Sequence, residues 1–474
     1  MKETNKTCMP DSFCSLPWTH FSTHTNGGIR MCCGGIYVRT NDGENVNARN
    51  TNLEQILNSP VYKKVRKEML EGKQPKECNY CWRDEKVLQT SYRINSNRMM
   101  GADRIYNNAL KFTENDGTLD LKKLPPEFYD LRLSNKCSQK CRSCGPISSD
   151  LWYNDYVALY EKMKDPASLF SFEFGYLNLL AKTSEKDKKI DNRHKVDKIK
   201  YKEITNTWGK ELNDDLKKGI HSIRWLYFAG GEPLIHNDMW EILRECIDSN
   251  CAKDIVVKYS TNFFKLPGFA WDIWKHFSRV ELYCSIDGYG DQYNYIRYPG
   301  KWNIIKKNIE KIYKERSSTN VYALPMPVIS ILNIFSVLDL QEWLLKNVPA
   351  KSLSNSHFDN RIRVSILDTP SYLDIRIFSD KAKKIINEKY IKFMDKHQGT
   401  IFKDEFEKIL KYLNTSIKHK ELPKSDVDFS SDLLLPSASR RLRENFFKAT
   451  YALDEIRNES FEKTFPEISE LLRL

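Results

Sequence analysis

The positions of the cysteines limit the possible folds of this chain more than any other feature of its sequence. Its 474 residues contain twelve cysteines, and nine of them lie before residue 145 in tight groups. Twelve are too few for a disulfide scaffold of this size. Clustered cysteines in a reducing compartment typically bind metal. We therefore expect small metal-binding units attached to a larger, ordinary hydrophobic core.

The tightest group lies in LSNKCSQKCRSC, directly after a predicted strand. Cys137, Cys141 and Cys144 are spaced C-x3-C-x2-C. Three thiolates on one loop can bind three irons of a [4Fe–4S] cluster and leave the fourth iron open. Zinc usually takes four ligands, often as two pairs. The spacing favours an open iron–sulfur cluster, with zinc and purely structural cysteines as the alternatives.

A second group lies near the N-terminus, where the C-x2-C pair of ECNYCW closes a set of four thiols. That set is Cys14, Cys32, Cys78 and Cys81. Cys33 adjoins Cys32 and could replace it, but the glycine spacing favours Cys32. Four such thiols can bind zinc or an iron–sulfur cluster equally well.

From residue 128, short apolar runs alternate with amphipathic helical stretches. The predicted strands are 129–134, 224–230, 254–261, 279–287, 321–332 and 361–367. This alternation indicates parallel βαβ units with right-handed crossovers. Six strands are too few for an eight-stranded barrel, so we predict an α/β fold with a partial (β/α)6 TIM-like barrel. Ligands of such sheets bind at the carboxyl ends of the strands.

The pattern predicts four regions along the chain. They are a cysteine-rich domain at 1–100, a linker at 101–127, the barrel at 128–370 with a Lys-rich insertion at about 151–220, and a helical region at 371–474. Within the first region, an amphipathic helix fits 52–71, and Pro60 should kink or divide it.

Net charge and hydropathy limit the kinds of partner that the chain is expected to bind. Lys and Arg exceed Asp and Glu by 75 − 63 = +12. The Lys-rich run at 182–203 alternates in charge, which predicts a solvated helix rather than a contact surface. No apolar run approaches the roughly 20 residues of a membrane helix, and the first residues lack a signal-peptide pattern. We therefore expect a cytoplasmic protein without membrane contact, and nucleic-acid binding is disfavoured.

The motif WLYFAGGEPL (225–234) follows the cysteine loop in the chain. A GGEP sequence alone is a weak turn signal. Combined with C-x3-C-x2-C, YSTN (259–262), SIDG (285–288) and IRYPGKW (296–302), it resembles the radical S-adenosylmethionine (SAM) superfamily over about 128–340. In that family the open iron binds SAM, and the reduced cluster cleaves it. The product is a 5′-deoxyadenosyl radical, which abstracts hydrogen from a C–H bond.

The resemblance implies which residues form the site. Cys137, Cys141 and Cys144 would bind the catalytic cluster. Cofactor contacts would come from Gly230, Gly231, Glu232, Pro233, Ser260, Asn262, Ser285, Asp287, Arg297 and Asn333. In this assignment the GGE residues hold the SAM amino group. Ser260 or Asn262, with Ser285 and Asp287, reaches the ribose or methionine part. Arg297 meets the carboxylate, and Asn333 lines the same face.

The N-terminal cysteines resemble a twitch domain, which is half of a SPASM domain and carries one auxiliary [4Fe–4S] cluster in radical SAM enzymes. The resemblance would place that cluster on Cys14, Cys32, Cys78 and Cys81. The sequence ALDEIRNESFEKTFPEI (452–468) is similar to the end of radical SAM proteins with an N-terminal twitch domain. Four protein ligands would leave the auxiliary cluster without an open site, which suits an electron relay.

These features predict an oxidoreductase that modifies a peptide or protein and receives electrons from a flavodoxin- or ferredoxin-type donor. Radical oxidation of a small molecule or nucleotide is the first alternative. A zinc-stabilised nucleic-acid-binding protein is the alternative from another class. His20, His24 and Cys284 are expected to be structural.

Overall fold

The computed structural model describes residues 8–162, 208–315, 319–348, 361–367, 369–397, 403–415 and 435–474. The predicted Lys-rich helix at 182–203 lies outside these residues. None of the described helices is long and apolar enough to cross a membrane.

The described chain contains short strands and many helices. The strands are β1 His20–Thr23, β2 Ile29–Arg30, β3 Phe128–Leu131, β4 Trp225–Phe228, β5 Val256–Thr261, β6 Arg279–Cys284, β7 Val321–Pro325, β8 Val328–Ile329 and β9 Ser365–Ile366. The helices of the first half are α1 Leu16–Thr19, α2 Leu53–Leu57, α3 Pro60–Leu70, α4 Asn79–Leu88, α5 Tyr92–Met100, α6 Ala102–Phe112, α7 Trp152–Lys162 and α8 Lys210–Lys218. Those that follow are α9 Asn237–Asp248, α10 Ala270–Trp274, α11 Gly290–Ile296, α12 Trp302–Glu315, α13 Ser336–Asn347, α14 Asp380–Lys396, α15 Lys403–Leu413, α16 Leu435–Arg457, α17 Phe461–Thr464 and α18 Pro466–Arg473.

One mainly parallel sheet organises the fold. Its strand order is β2-β1-β3-β4-β5-β6-β7. Parallel ladders join β1 to β3, β3 to β4 and β4 to β5, and β1 pairs antiparallel with β2. The predicted α/β class and TIM-like sheet are confirmed, and five of the six predicted barrel strands correspond to β3–β7.

The two edges of this sheet differ from the prediction. The predicted strand at 361–367 is reduced to β9, which pairs with β8 in a separate two-stranded sheet. At the other edge, β1 adds a strand from the cysteine-rich region, with His20 opposite Phe128. All four residues of β1 are buried, and two of its three polar side chains, His20 and Ser22, have hydrogen-bond partners on β3.

Pro60 divides the helix predicted at 52–71 into α2 and α3, as expected. Asn52 caps α2 through a capping box with Gln55, and Pro60 starts α3. Proline suits the first turn of a helix because its missing N–H would have no helical partner there. The segment predicted as a linker, 101–127, contains α6.

The chain divides into two compact units, which are described separately below. The first unit comprises Met1–Ser134, Thr205–Tyr259 and Trp271–Val280, and the second comprises Asn135–Ile204, Ser260–Ala270 and Glu281–Leu474. The first unit therefore holds the N-terminal cysteines and the GGEP motif. The second holds the C-x3-C-x2-C loop.

Candidate functional site

Four N-terminal cysteines line one pocket of the first unit. Cys14 precedes α1, Cys32 follows β2, Cys78 ends a 3₁₀ turn, and Cys81 lies in the first turn of α4. The other lining residues are Leu16, Pro17, Met31, Gly34, Gly35, Glu77, Tyr80, Tyr92 and Arg93. The structure thus brings together the four thiols that the sequence grouped.

Burial keeps these thiols protonated in the metal-free chain. It raises the pKa of Cys14 to about 12 and raises the pKa values of Cys32, Cys78 and Cys81. The thiols also oppose one another's ionisation because they lie close together. Iron cations would supply the missing positive charge, since metal binding deprotonates its cysteine ligands.

Arg93 is a pocket residue that the sequence reasoning missed. Its guanidinium pairs with Glu85, with Nη2 to Oε2 at 2.8 Å, and donates to the carbonyl oxygen of Phe13 at 2.8 Å. It also lies 4.9 Å from the ring centroid of Trp82. Arg93 therefore ties the backbone next to Cys14 to α4, which carries Cys81. No motif marks this arginine in the sequence.

Cys33 has a different environment from its neighbour Cys32. It is not among the residues that line the pocket. Burial, followed by the nearby carboxylate of Asp130, raises the pKa of Cys33 to about 12. Asp130 is itself buried and ion-paired with Arg132 at 2.8 Å.

In the second unit, the C-x3-C-x2-C loop folds back on itself. Cys137 is half-buried, Cys141 is buried and Cys144 is exposed. The Cys144 N–H donates to the carbonyl oxygen of Cys141 at 3.0 Å, and the Cys137 N–H donates to Oδ1 of Asp150 at 2.9 Å. A hydrogen bond from Cys144, aided by the charge of Arg297, lowers the pKa of Cys141, and the same bond raises the pKa of Cys144.

Three predicted cofactor residues lie beside this loop. Asn262 Nδ2 lies 3.7 Å from Cys137 Sγ, and Arg297 Nη1 lies 3.5 Å from Cys141 Sγ. Arg297 also forms a buried ion pair with Asp287, with Nη2 to Oδ2 at 2.5 Å. The second oxygen of Asp287 accepts from the backbone N–H of Val328 at 2.8 Å.

The other predicted cofactor residues of the second unit differ in burial and in hydrogen bonding. Ser260 and Ser285 are half-buried, at the ends of β5 and β6. Asn333 is fully buried, and its amide bridges the backbone of its own loop. Its Oδ1 accepts from Ser330 at 2.7 Å, and its Nδ2 donates to Val328 at 2.8 Å. Those contacts explain Asn333 as a loop-holding residue.

The GGEP motif follows β4 in the first unit. Gly230 and Gly231 both have positive φ, at 75° and 55°. Glu232 is fully buried, and its Oε1 accepts from the Leu234 N–H at 3.1 Å. Pro233 begins a 3₁₀ turn. The motif therefore holds a buried carboxyl group at the carboxyl end of a central strand.

The first glycine is required by packing within the unit. A Cβ at Gly230 would lie 2.7 Å from Cβ of Arg132 and 2.8 Å from Cγ2 of Thr25. We predict that Gly230→Ala destabilises the protein by about 1–3 kcal/mol through strain and overpacking. Gly101→Ala is the matched control, because Gly101 has a similar φ of 70° but no atom within 4 Å of its Cβ. Chemical denaturation of both variants tests this, and equal losses would contradict the packing argument.

The histidines and remaining cysteines behave as structural residues. Burial lowers the pKa of His20 to about 3, and its Nδ1 lies 3.0 Å from the carbonyl oxygen of Phe128. Cys246, Cys251 and Cys284 are buried, and Cys8 is exposed. Among the described residues, no three His, Cys, Asp or Glu side chains converge as ligands of one metal ion. Cysteines of a cluster bind separate irons, so they do not have to converge on one.

The N-terminal region matches a model of a known protein family. A family model described as the SPASM iron–sulfur cluster-binding domain matches residues 14–82. No curated protein matches the chain.

Among solved structures, the chain is similar to SuiB of Streptococcus suis bound to S-adenosylmethionine. That match has 12% identity and a TM-score of 0.31, and covers 83% of this chain and 71% of SuiB. SuiB alone gives 11% identity and a TM-score of 0.31 over 83% and 70% of the two chains. SuiB bound to its precursor peptide SuiA gives 12% and 0.31 over 81% and 70%.

The SPASM match begins at Cys14 and ends one residue after Cys81, so it spans all four thiols of the pocket. Residues 14–82 are therefore similar to the SPASM iron–sulfur cluster-binding domain, and the sequence resemblance predicted a twitch domain, half of a SPASM domain, in this region.

Proposed function

We propose that this chain is a radical SAM enzyme with two [4Fe–4S] clusters. The observation that carries the proposal is the C-x3-C-x2-C loop, whose Cys141 thiol lies 3.5 Å from the Arg297 guanidinium, in a chain with a SPASM-type domain. Three thiols can bind three irons of a cluster and leave the fourth open, and the adjacent guanidinium can pair with a carboxylate.

The side chains around the loop fit an iron–sulfur cluster. Cysteine thiolates are its usual ligands, and N–H donors to their sulfurs tune its potential. Asn262 and Arg297 each place a nitrogen within hydrogen-bonding distance of a cysteine sulfur. The hydrogen bond from Cys144 and the charge of Arg297 favour the thiolate form of Cys141, whereas Cys144 itself is held as the thiol in the metal-free chain.

When bound, the reduced cluster supplies the electron that cleaves SAM. The chain's own residues would bind and orient the cofactor. Arg297 would pair with the SAM carboxylate, because a guanidinium binds a carboxylate with two parallel hydrogen bonds. Asp287 would orient Arg297 through their buried ion pair. Gly230, Gly231 and Glu232 would receive the ammonium group, with the Glu232 carboxylate as its counter-charge.

The auxiliary cluster would use Cys14, Cys32, Cys78 and Cys81. Four cysteines complete the coordination of a cube, so no iron would be open to substrate. An electron relay fits this arrangement. Arg93 would fix the geometry, since it joins the Cys14 backbone to α4.

We favour a peptide or protein as the substrate, because SPASM and twitch enzymes often modify such chains. Oxidation of a small molecule or a nucleotide is the alternative. The net charge of +12 would suit an acidic electron donor of the flavodoxin or ferredoxin type.

Metal analysis and SAM cleavage test the proposal on the wild-type protein. Anaerobically purified protein should be brown and contain about eight irons per chain. With SAM and a strong reductant it should form 5′-deoxyadenosine, and omission of either should prevent this. Colourless protein with stoichiometric zinc and no 5′-deoxyadenosine would instead support the zinc-stabilised nucleic-acid-binding alternative.

A further inference from the structure

Arg142 is a buried cation inside the cysteine loop, directly after Cys141. Only 3% of the residue is exposed. Its Nη2 lies 2.6 Å from Oδ1 of Asp454 and 2.8 Å from Oε2 of Glu459, and its Nη1 lies 3.4 Å from the carbonyl oxygen of Thr450. All three partners belong to residues 450–459, which we call the C-terminal clamp.

The clamp contacts the loop at a second point through Arg457. The Arg457 Nε lies 2.7 Å from Oδ2 of Asp155, whose Oδ1 lies 2.5 Å from Nζ of Lys140 in the loop. The Arg457 guanidinium also lies 4.6 Å from the ring centroid of Trp152. The Trp152 indole donates to the carbonyl oxygen of Cys141 at 2.9 Å. Both sets of contacts from the C-terminal clamp therefore end at residues 140–142.

The same clamp flanks the segment that carries Arg297. The Tyr295 hydroxyl donates to Oδ1 of Asp454 at 2.6 Å, and the Arg457 guanidinium lies 5.3 Å from the ring centroid of Tyr298. The loop backbone pairs with this segment as well. The Lys140 N–H donates to Tyr298 and the Arg142 N–H donates to Ile296, at 2.7 and 2.9 Å.

The charges of this network balance. Its three cations are Arg142, Arg457 and Lys140, and its three anions are Asp454, Glu459 and Asp155. Removal of one partner from a buried network leaves an uncompensated charge, which is more disruptive than loss of a surface pair. Here that charge would lie next to Cys141.

We propose that the C-terminal clamp is a positioning element for the cysteine loop. It fixes residues 140–142 against the Arg297 segment and neutralises Arg142, so that it sets both the geometry and the electrostatic environment of the loop cysteines. The part of this inference that concerns a bound cluster rests on the proposed function.

Hydrogen exchange tests the positioning without any cluster. Asp454→Asn in the metal-free full-length chain should speed amide exchange in residues 137–144 about tenfold or more. Glu444→Gln is the matched control, because Glu444 is on the same helix but outside the clamp, and its side chain is 54% exposed. Should Asp454→Asn fail to fold, Glu459→Gln removes the other carboxylate that pairs with Arg142 and tests the same expectation. Unchanged exchange in the loop, or an equal increase at β4 of the first unit, would overturn the proposal.

Reduction potentials test the electrostatic part. Added positive charge near a cluster stabilises its reduced form and raises its potential. Glu459→Gln should therefore shift the potential of the loop cluster upward, and Arg142→Met should shift it downward. Shifts of the same sign, or none, would overturn this part. If no loop cluster assembles in the wild-type protein, the proposed function fails, while the exchange experiment still decides whether the clamp positions the loop.

Discussion

Cys137→Ala should abolish formation of 5′-deoxyadenosine and lower the iron content from about eight to about four per chain. Cys137 is one of only three thiols in its loop, so no local cysteine can replace it. Its sulfur also accepts from Asn262, at 3.7 Å. Iron analysis, electron paramagnetic resonance and product analysis after addition of SAM and reductant measure these losses.

Cys8→Ala is the matched control for this variant. Cys8 is exposed and belongs to neither cysteine set, so iron content and SAM cleavage should match the wild type. Persistence of 5′-deoxyadenosine in Cys137→Ala would show that the loop does not carry the SAM-cleaving cluster. Loss of the product with all eight irons retained would also contradict a ligand role for Cys137.

The elements of this fold that follow from local pattern could be predicted. Short runs rich in apolar residues form β3–β7, and their alternation with helices predicts a parallel sheet. Pro60 separates α2 from α3, and this division could be predicted because proline disrupts a helix interior but suits a first turn. By contrast, β1 is four residues long and carries a histidine, a serine and a threonine. It is a strand because it pairs with β2 and β3, and the contact with β3 spans more than one hundred residues.

The C-x3-C-x2-C loop and the C-x2-C pair at Cys78 and Cys81 were also predictable, because the spacing within each is local. The charged residues that support them were not. Arg93 is half-buried and donates to Phe13, 80 residues away, and the buried Arg142 pairs with Asp454, 312 residues away. Spacing alone cannot distinguish such arginines from surface ones. The sequence does show that Arg142 lies between two predicted ligand cysteines. That position indicates that an acidic partner is needed, but it does not identify the partner.

The two cysteine sets differ in the charge that surrounds them. In the second unit, a hydrogen bond from Cys144 and the charge of Arg297 lower the pKa of Cys141, whereas the pKa of Cys144 is raised. In the first unit, burial raises the pKa of all four thiols. Metal binding in the first unit would therefore have to displace a proton from every thiol.

Cys32→Ala should remove the auxiliary cluster, whereas its neighbour Cys33→Ala should retain it. Cys32 lines the pocket with the other three thiols, and a Cβ at Gly35 would lie 3.1 Å from its sulfur. Cys33 instead lies outside the pocket lining, near the Asp130 carboxylate. We therefore expect about four irons per chain for Cys32→Ala and about eight for Cys33→Ala.

Anaerobic iron analysis and electron paramagnetic resonance of the two variants distinguish the neighbours, since each is the matched control for the other. The reverse pattern would assign the ligand to Cys33. SAM cleavage supplies a second readout. If the auxiliary cluster only accepts an electron after hydrogen abstraction, Cys32→Ala should still form 5′-deoxyadenosine, because the loop cysteines and Arg297 are unchanged. Loss of that product while the loop cluster remains intact would contradict the relay role, since the auxiliary cluster would then be required before SAM is cleaved.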